Sequence, residues 1–470
     1  MRLVFTSAMV LGLMLSALGA PREIQTDPRL KKSSRRAEQN GWIYVHLEGS
    51  PSEIGFQNGY LLADEIKTLQ KTLALELTHD TGKDYQFFRA AAEKRLWPHI
   101  EAEYRDELQG IVQGLSAKNV KLDLWDIVVL NASLELNGYY TDWWDKQNQP
   151  THAKAKGVGE HCSAFVATGS YTRDGKIVIG HNAWTNYMDG AQWRIIYDIV
   201  PAKGHRILMD GLPGYIHSGD DFGVNSAGIV ITETTISQFH GFDPKGIPEF
   251  VRARKAMQYS ASIDDFVRIM KEGNNGGYAN NWLVADRNTG EVADLELGLK
   301  NVNLRRTKDG YFVGSNFPVE PKLAYEETDF DLKDKGHSAN ARRIRAEELM
   351  QANKGKIDLA FGKKFLSDHY DSFAKKTDPN ERTLCGHIDR SPRGVKGWQP
   401  PYGTAGAAQN KVTDAALAEK MSFEGALGHA CGIRFSAAEH LKKYPQFGWE
   451  REFLRDLASY PWTRFTASGN

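Results

Sequence analysis

The sequence is poor in cysteine, with three in 470 residues: Cys162, Cys385 and Cys431. That excludes a scaffold built on disulfides, so the fold must rest on an apolar core. Charge of one sign is also lacking. Lys and Arg total 59 against 59 Asp and Glu, and so balanced a chain offers no phosphate-tracking surface; a nucleic-acid partner is not expected. The hydrolase signatures G-x-S-x-G and H-E-x-x-H are missing, which removes the serine elbow and the zinc-protease helix as explanations. After the first twenty residues no run is long and apolar enough to span a bilayer.

The opening, MRLVFTSAMVLGLMLSALGAPREIQ, combines one early arginine, an apolar run and small residues. It reads as a signal peptide over residues 1–19, predicting a secreted or periplasmic protein with no transmembrane anchor once the signal is removed. Residues 20–40 are polar and charged and read as a mobile leader. Residues 41–161 carry apolar positions at helical spacing and end in an exposed linker, 145–161, with almost no large apolar side chain. From Cys162 onward the pattern changes to short β-rich runs such as CSAFVATGSY, KIVIGHNAW and GIVITETTI, with helices returning at 248–272. Strand runs mixed with helical runs predict one layered α+β domain over 41–470 rather than a doubly wound sheet.

Outside the cytosol, two of three cysteines are expected to pair. Cys385 and Cys431, in TLCGHID and GHACGIRF, are the natural disulfide. Two other readings stay open: a zinc site of Cys385, His387, His429 and Cys431, or two buried thiols. Cys162 is left over at the border between a polar linker and an apolar strand. It is either a buried core thiol or a nucleophile. Cleavage of the His161–Cys162 bond would give it a free α-amine, which titrates near ~8 and can serve as the base for its own thiol.

Several blocks resemble a known family. CSAFVATG and VIGHNAWTNY (162–187), PGYIHSGDDFGVNSAGIVITETTI (213–236), GYANNWLVAD (277–286) and GTAGAAQNKVTD (403–414) are similar to the phospholipase B-like proteins. GSPSEIGFQNGYLLADEI and LWDIVVLNASLEL resemble the penicillin acyltransferase-like amidases. Both are N-terminal nucleophile hydrolases, so the resemblance implies a four-layer αββα sandwich made as a precursor. Self-cleavage would then yield a helical chain ending at His161 and a chain 162–470 starting with the nucleophile, the two staying associated.

The resemblance also implies site residues. Asn281 takes the oxyanion-donor position, with Asn280 one residue away as its rival, and His181 lies near the nucleophile. Asn182, Trp184, Asp221, Glu233 and Asn280 mark the pocket; Asp220 is family-marked too, but of two adjacent strand residues at most one faces it. Arg252 and Arg254 are family-marked, with solvation at the surface as their default. The amidases carry an acidic residue shortly after the asparagine, where this chain has Ala183 and Trp184; that departure favours the phospholipase B-like alignment. The implied activity is hydrolysis of an amide or ester acyl bond in a lipid or small-molecule substrate, through a thioester and without a metal or organic cofactor. The alternatives are acyl transfer to an amine and a non-catalytic exported binding protein of the same fold.

Overall fold

The structure, a computed structural model, describes residues 27–148, 162–220 and 222–469. The signal segment, His161 and Asp221 lie outside the described residues.

Two sheets form the centre. The larger runs, edge to edge, through Ser34–Arg35, Ile43–Gly49, Ile195–Pro201, Ile207–Gly211, Gly223–Asn225, Ile229–Thr235, Asn280–Asp286, Glu291–Leu297 and Val302–Thr307. Its neighbours are antiparallel except for Ile43–Gly49, which pairs in parallel with Ile195–Pro201. The smaller sheet runs Gly310–Gly314, Cys162–Thr168, Val178–Asn186, Ala405–Asp414, Ser422–Leu427 and Thr463–Thr466. Strand alternation sends successive side chains to opposite faces, and the packing follows that rule. Leu208, Val224, Val230 and Leu283 meet Ala164, Val166, Ile179 and Phe423 between the sheets. Ile195, Tyr197, Ile231 and Val284 turn the other way, onto Ile66, Leu69, Leu108 and Ile111 of the helices Ala63–Thr81 and Ala102–Ala117. Phe165, Val178 and Val412 turn outward from the smaller sheet onto helices Ser338–Ala352 and Leu359–Leu366. The result is the four-layer αββα order expected from the sequence.

Local chemistry sets the helical layer. Asp123 caps Leu124–Asn131 by accepting from Trp125 and Asp126, while the Asp126 carboxylate accepts from the Asp123 amide at 3.0 Å, a reciprocal cap of the kind that fixes a helix start. Helices Pro51–Leu61 and Ala102–Ala117 touch backbone to backbone. A Cβ on Gly59 would sit 2.1 Å from the Ile111 carbonyl oxygen, so only glycine permits that approach.

Two expectations need correction. Residues 27–40 are docked rather than mobile: Ser34–Arg35 extends the large sheet, the Arg29 guanidinium lies 3.4 Å above the Phe56 ring, and Gln57 Nε2 donates to the Arg29 carbonyl at 2.7 Å. Composition alone hid this, because a long cationic side chain packs its stem and plane on an aromatic face. The linker also starts later than expected, since helix Thr141–Asn148 continues through residues 145–148. Among the described residues, no helix is long and apolar enough to cross a membrane.

Candidate active site

Cys162 opens its strand and is 1% exposed. It pairs with Ala183, and Ala164 pairs with His181. Directly opposed residues of an antiparallel pair share a face, so Cys162, Ala164, His181 and Ala183 look into the space between the sheets. The Cys162 thiol lies 3.9 Å from Glu233 Oε1, and the reactive atoms of Cys162, His181 and Glu233 all fall within 4.8 Å of one another. Three of the site residues predicted from sequence are thus brought together. The thiol is held well above its ordinary pKa, first by burial and then by the Glu233 and Asp220 charges. His181 is pushed down to about 3 by burial and the Lys411 ammonium, which keeps its imidazole neutral. This trio carries metal-ligand chemistry, but the nearby fixed Lys411 charge opposes a second cation there.

Behind His181 lies a buried charge network that sequence reading missed. Lys411 Nζ bonds Asp220 and lies 3.1 Å from Asp210 Oδ2. Gln409 Nε2 donates to the same two carboxylates at 2.5 and 3.0 Å. Asp220 Oδ2 is 3.7 Å from His181 Nδ1. Burial pushes Asp210 up to about 7, reinforced by the Asp220 charge. Burial raises Asp220 as well, but the Lys411 ammonium and the hydrogen bonds from Lys411 and Ser218 outweigh it, and the carboxyl ends below its ordinary value. Asp220 is thus at the site, while Asp221, the pocket residue implied by the resemblance, lies outside the described residues. The available signal was Lys411 itself, a single cation inside the small-residue strand AGAAQNKVT.

The main chain of Cys162 is gripped from both sides. Its N–H donates to Asn316 Oδ1 at 3.2 Å, and its carbonyl accepts from Arg342 Nη1 at 2.5 Å. Arg342 also donates to Asn316 Oδ1 at 2.9 Å and to Ser163 Oγ at 3.2 Å. Asn316 Nδ2 in turn donates to the Thr235 carbonyl at 2.9 Å. Neither residue stood out in the sequence. Arg342 is one of three arginines in SANARRIRAEELM, and nothing there marks which of them is buried.

Asn182 and Trp184 do not line the pocket, which corrects the expectation. They alternate to the outer face, where Trp184 packs with Ile388 and Val395. Asn182 is a strut. Its Oδ1 accepts from the Ser163 amide at 3.0 Å and Trp184 Nε1 at 3.1 Å, and its Nδ2 donates to the Leu384 carbonyl at 2.9 Å. The Arg342 guanidinium lies 4.2 Å over the Trp184 ring. Of the two asparagines, Asn281 already donates to Asp294 Oδ1 at 3.4 Å. Both amide atoms of Asn280 are buried without a hydrogen-bond partner among the described residues. Asn280 pairs with Thr235, the residue that anchors Asn316. Arg252 and Arg254 are buried rather than solvated: Arg254 meets Glu107 at 3.2 Å, and Arg252 donates to the Met270 carbonyl at 2.7 Å.

A cleft of about 960 Å³ reaches the site at Tyr278, whose hydroxyl donates to Glu233 Oε1 at 2.8 Å. Ser133, Thr185, Asp189, Trp193, Tyr215 and Trp398 are among its walls. The segment YYTDWWD serves two ends: Tyr140 and Trp143 pack with Phe242, while Thr141, Asp142 and Asp145 border the cleft. Burial pushes Asp189 up to about 7, and Glu76 is raised by burial and the Asp189 charge.

Cys385 and Cys431 are both free thiols, so the expected disulfide is not formed. Their sulfurs lie instead among the nitrogens of His369 and His387.

Comparison with known proteins agrees with the resemblance read from the sequence. The family described as Phospholipase B matches residues 62–295. An "Uncharacterized protein" of Archaeoglobus fulgidus is 27% identical over 255 residues, covering 50% of this chain and 40% of that one. Phospholipase B-like protein C of Dictyostelium discoideum is 25% identical over 290 residues, covering 53% and 51%. The chain thus spans about half or less of the length of these relatives. Among solved structures, a conjugated bile acid hydrolase from Clostridium perfringens aligns over 56% of this chain and 89% of its own, at 14% identity and a TM-score of 0.33.

Proposed function

We propose that this chain, phospholipase B-like over residues 62–295, is an acyl hydrolase whose nucleophile is Cys162, exposed by cleavage of the His161–Cys162 bond. The observation that carries the reading is the double grip on the Cys162 main chain, with its nitrogen on Asn316 and its carbonyl on Arg342. A core cysteine needs a packed side chain; a nucleophile that must also supply its own amine needs a fixed nitrogen.

After cleavage, that nitrogen would become an α-amine held by Asn316 beside the thiol. The neutral amine takes the thiol proton as sulfur adds to the acyl carbonyl, and returns it to the leaving alcohol or amine. The resulting thioester is hydrolysed when water gives a proton to the amine and attacks the same carbon, releasing the acid and restoring the thiol. Asn280 is taken as the oxyanion donor, because both atoms of its buried amide are without a hydrogen-bond partner among the described residues. The cleft walls mix aromatic rings with hydroxyls and carboxyls, which suits an acyl chain joined to a polar head.

The test is the denatured intact mass of the purified protein beside Cys162→Ala. Two fragments, the larger beginning at Cys162 and absent from the variant, are expected, with acyl hydrolysis only in the cleaved form. A single uncleaved species with full hydrolase activity would defeat the reading.

A further inference from the structure

His369, Cys385, His387 and Cys431 come from three separate stretches of chain, yet their ligand atoms all lie within 4.8 Å of one another. His387 Nε2 stands 3.2 Å from His369 Nε2 and 3.5 Å from each sulfur. These spacings can be compared with the edges of a coordination tetrahedron. Zinc–nitrogen bonds of about 2.05 Å and zinc–sulfur bonds of about 2.3 Å give nitrogen–nitrogen edges of about 3.3 Å and nitrogen–sulfur edges of about 3.5 Å. All three observed separations match. Hydrogen bonding does not account for the cluster, because one imidazole nitrogen carries at most one proton or one lone pair and here faces three partners. A cation at the centre satisfies all four groups together.

We propose that His369, Cys385, His387 and Cys431 form a four-coordinate Zn²⁺ site. Binding releases two thiol protons to solvent and leaves a neutral centre of two thiolates, two imidazoles and one Zn²⁺. The surroundings fit that chemistry. The Ile433 amide donates to Cys431 Sγ at 3.4 Å, a contact that favours thiolate. Asp389 Oδ1 lies 3.9 Å from His387 Nδ1 and accepts from the Tyr187 hydroxyl at 3.0 Å, a carboxylate behind a ligating histidine. His429, which the short sequence spacing suggested as the fourth ligand, lies against the His387 ring instead, with centroids 4.0 Å apart and the planes tilted by 33°. His369 takes its corner from sixteen residues before Cys385, where no short motif reveals it.

The site also has a structural role to play at the catalytic strand. Asn182 donates to the carbonyls of Leu366 and Leu384, which flank the metal-binding stretch. Gly386, between two ligands, lies so close to Trp184 that an added Cβ would come within 2.2 Å of the ring. A metal here would clamp the wall against which Asn182 and Trp184 hold Ser163 and Arg342.

The test is metal analysis of the purified full chain, then chelation and titration with Zn²⁺ or Co²⁺. One zinc per chain is expected, with Co²⁺ giving the intense visible bands of a tetrahedral thiolate site. His369→Ala and Cys431→Ser should each weaken metal binding at least tenfold. A wild-type chain that neither retains nor takes up metal, or that carries a Cys385–Cys431 disulfide, overturns the proposal. If the variants fail to fold, the wild-type stoichiometry and cobalt spectrum still decide it.

Discussion

The Cys162 amide donates to Asn316 Oδ1 at 3.2 Å, and Asn316 holds that position at a backbone φ of 71°. Asparagine tolerates this left-handed conformation better than other non-glycine residues, so its side chain and its backbone strain serve one contact. Replacing it by alanine keeps the strained φ and strands buried partners. A lost buried hydrogen bond costs about 1–3 kcal/mol, or roughly five- to a hundred-and-fiftyfold in a rate. Asn316→Ala is therefore expected to slow cleavage before Cys162 by that factor, read as the fraction of uncleaved chain against time.

Arg342 is a second anchor, and its planar fork is specific. It reaches Cys162, Ser163 and Asn316 while lying on Trp184. Lysine presents a point charge and cannot reproduce that set. Arg342→Lys should lower the unfolding free energy by about 1.5–3 kcal/mol and leave the precursor largely uncleaved, as measured by denaturant titration and intact mass.

The two asparagines make opposite predictions. If Asn280 supplies the oxyanion donor, Asn280→Ala should reduce kcat by about 10²–10³ with little change in KM. Asn281→Ala should act chiefly on stability, through the loss of its contact to Asp294. The reverse pattern in steady-state kinetics would return the role to Asn281.

The buried carboxyls set a pH dependence. Asp189, Asp210 and Glu450 are pushed up to about 7, chiefly by burial. Between their unfolded values, near 4, and pH 7 the folded state holds protons that the unfolded state has lost, so stability falls as pH rises. Each carboxyl weighs on the order of 1 kcal/mol or more. The protein should resist urea better at pH 5 than at pH 8, and Asp189→Asn should flatten the fall.

Cys162 was legible as the thiol left over where a polar linker meets an apolar strand, and His181 and Glu233 only through the resemblance to the phospholipase B-like proteins; the structure brings the three together. Asn316, Arg342 and Lys411 escaped notice because their importance comes from burial, which depends on layers hundreds of residues apart. Asn182 and Trp184 were misassigned for a related reason. They neighbour pocket residues in sequence, but a strand turns alternate side chains to opposite faces. The cysteine pairing failed similarly: similarity of two short segments placed Cys385 near Cys431, while His369 could be placed only by the fold.

The parallel seam between Ile43–Gly49 and Ile195–Pro201 has a consequence for the protein's lifetime. It joins the segment before Cys162 to the segment after it inside one sheet. While the chain is continuous, that seam forms in a single-molecule reaction. Cleavage before Cys162 would leave the seam intact and remove the tether that made it easy to form. Refolding would then require two separate pieces to meet in dilute solution, each with an apolar face exposed. A cut molecule would have folded once and for good, and its endurance would be governed by how slowly it opens.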